Sequence, residues 1–234
     1  MTPVQAPTAP RRWLAPIATV FCTVLVISNI AAIKPVALPG LPFVLMDGGN
    51  VLFPISYIFG DILVEVYGYA QARRIIWLGF VLNLFAAATF VLVASLPAAP
   101  GWELQAAFTA ILRQTPRVVL GSMAAFWCGS FLNAWIMAKM KVWMQGRHLW
   151  MRTIGSTIVG EGVDSLLFTA IAFGGVWPLG LVARVSFWNF VLKTGYEVVA
   201  TPLTYFLIGR LKQAEQSDPY DVQTNFSPFR WRSQ

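Results

Sequence analysis

Three stretches of this chain, residues 13–33, 75–102 and 118–138, run for 21, 28 and 21 residues without a charged side chain. About 20 mainly apolar residues in a helix cross the hydrocarbon core of a bilayer. Within lipid a backbone must satisfy its own hydrogen bonds, which a helix does. The runs therefore predict an all-α membrane protein. The composition agrees, since the 234 residues are 57% hydrophobic and only 12% charged, with a mean hydropathy of +0.63.

Breakers and basic clusters divide the chain further. Residues 1–12, with their prolines and Arg11 and Arg12, read as a disordered cytoplasmic start. Residues 13–208 read as a transmembrane domain of six helices, over about 14–32, 51–70, 75–96, 117–140, 153–173 and 179–207, and residues 209–234 as a cytoplasmic tail. The first helix imitates a signal peptide, but it has spanning length and more spans follow, so it is read as retained. Residues 34–43, KPVALPGLPF, hold too many breakers for a regular helix, and residues 46–50 are expected to turn on Gly48 and Gly49. The second helix takes Pro54 in its first turn and closes at Arg73 and Arg74. Residues 97–116 set Trp102, Phe108, Ile111 and Leu112 among polar side chains, as an interfacial helix or lid would. The fifth helix is expected to be interrupted by Gly155, Gly160 and Gly162, Trp177 to sit at headgroup level, and the sixth helix to meet Pro202 near its end.

A formal charge of +7 would invite a nucleic-acid reading in a soluble domain. Here the charges cluster between apolar runs, and membrane topology accounts for them. With six spans and the N-terminus inside, 12 of the 17 basic residues fall on the cytoplasmic side: Arg11, Arg12, Arg73, Arg74, Lys139, Lys141, Arg147, Arg152, Arg210, Lys212, Arg230 and Arg232. Lys34, Arg113 and Arg117 fall outside, and Arg184 and Lys193 within the membrane. The positive-inside bias places both termini in the cytoplasm.

Charges inside spans are expensive and mark a bundle interior or a transport path. Asp61 and Glu65 lie four residues apart in VLFPISYIFGDILVE, and one hundred residues later Gly160-Glu161 repeats Gly60-Asp61, with Asp164 three residues on. Each spacing puts both acids on one helical face. Three helices are an odd number, so a tandem three-helix repeat returns inverted in the membrane, as in many transporters. The half-to-half similarity thus predicts a three-plus-three inverted repeat whose second and fifth helices bring four carboxylates toward one cavity. One or two of them can pair instead with Arg184 or Lys193. Lys193 and Glu197 are spaced for an ion pair within the sixth helix, either structural or substrate-binding. Asn29, Ser130 and Asn133 form a further polar set, suited to reading a heterocycle edge or to joining helices. Cys22 and Cys128 read as packing residues and His148 as a surface residue in a basic connection. There is no paired-cysteine metal pattern, phosphate loop or nucleotide-binding fingerprint, so no cofactor or metal is expected. A membrane enzyme with Asp61 or Glu161 as base, and a purely structural membrane protein, stand as alternatives to a carrier.

The segments VISNIAAIKPV (26–36), FPISYIFGDILVEVYGYAQARR (53–74), FWCGSFLNAWIMAKMK (126–141), GSTIVGEGVDSLLFTAIAFGG (155–175) and KTGYEVVATP (193–202) resemble the queuosine precursor transporter family, also described as the VUT family. The resemblance implies an inner-membrane importer of 7-deazaguanine precursors, the cyano or the aminomethyl form or both, for salvage into transfer-RNA modification. It implies Asn29, Asp61, Glu65, Asn133, Glu161, Asp164, Lys193 and Glu197 as binding or coupling positions. The implied partners are the small-molecule substrate and membrane lipid, without direct nucleic-acid contact, and a homodimer stays open.

Overall fold

A computed structural model of the chain describes residues 11–31, 34–38, 40–112, 116–175, 178–222 and 224–227. The expected disordered segment up to residue 10, together with Arg113, Trp177, Arg230 and Arg232, lies outside the described residues. In chain order the described residues form α1 (Leu14–Ala31), β1 (Pro35–Leu38), β2 (Leu41–Asp47), a 3-10 helix (Gly48–Val51), α2 (Phe53–Tyr67), α3 (Tyr69–Ser95), α4 (Gln105–Leu112), α5 (Pro116–Trp143), α6 (Leu149–Phe173) and α7 (Leu179–Glu215).

One end of the bundle gathers the start of α1, the α2–α3 turn and the end of α7. Trp13 N donates to Glu215 Oε1 at 2.6 Å, Tyr67 Oη donates to the same oxygen at 3.0 Å, and Tyr69 N donates to Asp221 Oδ2 at 3.0 Å. At the far end α4 lies against the end of α3, with Gln105 Nε2 donating to the Ala94 carbonyl at 3.2 Å. The long helices thus run alternately between the two ends, and α4 is a short helix within the 97–116 segment. Four of them are long and apolar enough to cross a membrane: α1, α3, α5 from Leu120, and α6. That is four of the six expected spans. α2 has 15 residues and rises only about 22 Å, short of the roughly 30 Å of hydrocarbon. α7 has the length but carries Arg184, Lys193 and Glu197 along it.

Several boundaries depart from the expectation for identifiable reasons. α2 stops at Gly68, whose φ of +82° few other residues adopt, and α3 begins at once. Arg73 and Arg74 therefore lie inside α3 and close nothing. The breaker-rich segment is an antiparallel hairpin, with Pro35 opposite Asp47 and Gly40 at its turn. β2 continues through Asp47, so the expected turn over 46–50 gives way to the 3-10 helix. A Cβ on Gly48 would stand 2.5 Å from the Ala31 carbonyl, so only glycine allows that approach.

α6 is not interrupted. Gly160 faces Gly129 of α5 where the two backbones touch: a Cβ on Gly160 would lie 2.9 Å from Asn133 Cβ, and one on Gly129 would lie 2.9 Å from Asp164 Cβ. Gly160 is thus special for a reason other than a break, since small residues let membrane helices close on each other, whereas a Cβ on Gly162 would have no neighbour nearer than 3.9 Å. α7 passes through Pro202 and ends only at Glu215. Apolar side chains such as Ile27, Val81, Phe85, Leu92, Leu166 and Val199 are exposed on the outer faces, the surface a bilayer covers.

Candidate functional site

The interior between α2, α5, α6 and α7 holds the charged groups, and the fold sorts them into three clusters. The first is a hub at the end where α7 finishes. Glu65 of α2 is wholly buried and accepts from both terminal guanidinium nitrogens of Arg152 of α6, Nη1 to Oε2 and Nη2 to Oε1, the latter at 3.2 Å. Lys212 of α7 lies 2.5 Å and Lys141 of α5 3.3 Å from Glu65 Oε1, and Lys141 also donates to the Glu65 carbonyl at 2.9 Å. Asp218, just after α7, accepts from Lys141 at 2.6 Å and lies 2.8 Å from Lys212. Burying an ion pair costs several kcal/mol per ion unless geometry and further hydrogen bonds repay it. Here each partner of Glu65 has more than one acceptor. Partial burial alone would raise the Asp218 pKa, but hydrogen bonds from Lys141 and Lys212 outweigh it and hold the carboxyl below the usual aspartate range. Burial alone would lower Lys212, but Glu65 and Asp218 outweigh it and hold the amine above the usual lysine range.

The second cluster joins α6 to α7. Lys193 Nζ lies 3.0 Å from Glu161 Oε2 and 2.5 Å from Asp164 Oδ2. Glu161 and Lys193 are buried, and Asp164 is half-buried. The one-turn spacing of Glu161 and Asp164 thus serves a single ammonium from the neighbouring helix. The expected pairing of Lys193 with Glu197 is replaced by these two contacts across the helix interface. In the third cluster Asp61 of α2, fully buried, faces Glu197 of α7 and Asn133 of α5. None of the four carboxyl oxygens of Asp61 and Glu197 receives a well-formed hydrogen bond.

A narrow cleft of about 50 Å³ opens beside the second cluster, lined by Ser56, Tyr57, Ser130, Asn133, Glu161 and Asp164 among others. That volume suits a water molecule or two. A much larger cavity of about 610 Å³ lies toward the far end among α1, α3, α4 and α5. Size alone would favour it, but among the described residues its wall is almost entirely apolar and carries no ionisable side chain. The smaller cleft, lined by Glu161 and Asp164, is therefore the candidate site.

The fold brings Asp61, Asn133, Glu161, Asp164, Lys193 and Glu197 into one interior region. Glu65 sits one turn from Asp61 but belongs to the hub. Asn29 is elsewhere: its Nδ2 donates to Asn83 Oδ1 at 2.5 Å, and its Oδ1 accepts from Ser122 Oγ at 3.1 Å, on the wall of the large cavity. Sequence reasoning missed Lys141, Arg152, Lys212 and Asp218 as partners of the acids. The available signal was a surplus of cations at one end of the bundle, which the topology argument had already absorbed.

Comparison with known proteins gives a consistent picture. The family described as "Putative vitamin uptake transporter" matches residues 47–207. The "Probable queuosine precursor transporter" of Bacillus subtilis (strain 168) is 32% identical over 183 residues, covering 77% of this chain and 78% of that protein. The "Queuosine precursor transporter" of Escherichia coli (strain K12) is 27% identical over 125 residues, 53% of this chain and 54% of that one. No solved structure matches.

Proposed function

This chain belongs to the vitamin uptake transporter (VUT), or queuosine precursor transporter, family, and from that premise we propose that it imports a 7-deazaguanine precursor of queuosine across the cell inner membrane. The names of the two relatives support the substrate class. The observation that carries the reading is the wall of the cleft, where Glu161, Asp164 and Asn133 converge beside Tyr57. A deazaguanine offers an N1 proton and an exocyclic amine to a carboxylate, an O6 to a donor, and a flat face to an aromatic ring.

Lys193 is central to this mechanism. Its one ammonium pairs with both Glu161 and Asp164, so donors on the incoming base compete with it for the same oxygens. An aminomethyl base brings a cation to that competition, and a cyano base brings only neutral donors. On this reading α1–α3 and α5–α7 act as two inverted groups of three, with both chain ends in the cytoplasm.

Cells unable to make queuosine precursors, given a low external dose, should restore the transfer-RNA modification when this chain is expressed. Equal restoration without it, at every dose and time, defeats the import reading.

A further inference from the structure

The Glu65 hub is short of negative charge without the segment that follows α7. Lys141, Arg152 and Lys212 bring three positive charges from three helices to one buried carboxylate. The second carboxylate is Asp218, whose side chain is 48% exposed. Without it the ends of α5 and α7 would meet as two lysines sharing one acid, and like charges at that range push apart.

The same segment is tied to both sides of this end of the bundle. Ser217 Oγ donates to the Val66 carbonyl at 2.9 Å, and Tyr69 N donates to Asp221 Oδ2 at 3.0 Å, both at the α2–α3 turn. Tyr220 packs so tightly on Gly146, in the α5–α6 connection, that a Cβ there would overlap its hydroxyl. Beyond it, Arg73 Nη1 donates to the carbonyls of Asn225 at 2.7 Å and Ser227 at 2.6 Å. Lys212 and Asp218 both lie past residues 47–207, the part matched to the family. Meanwhile the cleft beside Glu161 is only about 50 Å³, so a nucleobase cannot enter or leave without a change of conformation.

We propose that residues 216–222 are a latch across this end of the bundle, and that release of Asp218 from Lys141 and Lys212 is a step in opening that end to the cleft. Asp218 is half-exposed and Lys212 a quarter exposed, so their pair is weak, and buried Lys141 keeps Glu65 when Asp218 leaves; both suit a contact that parts in every transport cycle. The inference rests on the carrier reading above, but its test needs no cargo, so failed uptake and a failed latch are separate results.

The test uses the full chain in membrane vesicles with Cys22→Ala, Cys128→Ala and a single reporter, Ser130→Cys, on the cleft wall. A membrane-impermeant maleimide is applied to each face in turn. Asp218→Asn should raise labelling from the face carrying the latch about fivefold, the factor that about 1 kcal/mol confers. Asp218→Glu should keep the parent rate, and labelling from the opposite face should not rise. On the parent itself, about 1 M salt should raise labelling in the same direction, because it screens a half-exposed pair. An Asp218→Asn protein that elutes like the parent and labels at the parent rate overturns the latch. So does a parent rate indifferent to salt, which keeps the question decidable should the variant fail to insert.

Discussion

Glu161→Gln and Asp61→Asn each remove one charge, but from different settings. Glu161 lines the cleft and shares Lys193 with Asp164, so in the glutamine variant Lys193 keeps Asp164 and the fold should hold. On the proposed reading the base loses a charge-assisted hydrogen bond of about 1.5 to 3 kcal/mol, or roughly 10- to 150-fold in affinity. Asp61 is not on the cleft wall. It faces Glu197 with no well-formed hydrogen bond to either carboxyl, and Asp61→Asn supplies an amide donor. That change should leave affinity within about threefold and raise the melting temperature in detergent by about 2 to 4 °C, the shift expected of about 1 kcal/mol in a chain of this size. Binding and thermal unfolding of the purified variants check both, and equal affinity losses would refute the division of roles. The acids themselves were legible because a lone charge in an apolar run has few explanations. Their partners were not: Arg152 and Lys212 lie 87 and 147 residues from Glu65, and each looks like an ordinary span-end cation.

The crossing of α5 and α6 governs how the cleft is built. Gly129 and Gly160 let the backbones touch, and that contact sets Asn133 and Asp164 side by side on the cleft wall. Gly160→Leu should force the helices apart, since even a single added carbon would sit 2.9 Å from Asn133 Cβ and 3.0 Å from the Gly129 carbonyl. We expect about 1 to 3 kcal/mol of destabilisation from overpacking and a sharp loss of monodisperse protein on gel filtration. Gly162→Ala, whose nearest neighbour would be 3.9 Å away, should behave like the parent. Indistinguishable variants would remove the crossing from the account. Glycine in a helical pattern signals either a break or a close approach, and only the position of the partner helix decides between them. The same limit applied at Gly68, where a positive φ ended α2 sooner than the two arginines did.

For the whole molecule, the contact of Trp13 with Glu215 means that the chain enters and leaves at one end of the bundle. Fluorescent or epitope tags on the two termini should therefore report the same side of the membrane, which on the proposed reading is the cytoplasm. Tags protected on opposite sides would refute the six-pass reading proposed above. The apolar runs made α1, α3 and α5 plain in the sequence. α2 and α7 were harder to delimit, because interior helices shielded by their neighbours need be neither long nor uniformly apolar.

The shortness of α2 has an electrical consequence. Along it the protein interposes about 22 Å of helix where the surrounding bilayer interposes roughly 30 Å. Were water to reach both ends of α2, a membrane voltage dropped along it would give a field steeper by about a third than the field in the lipid around it. A passenger with one positive charge gains about 2.3 kcal/mol for each 100 mV it descends, and a neutral one gains nothing. On the proposed reading, an aminomethyl and a cyano base differ by that charge, so an inside-negative voltage alone would favour accumulation of the first by about 50-fold per 100 mV.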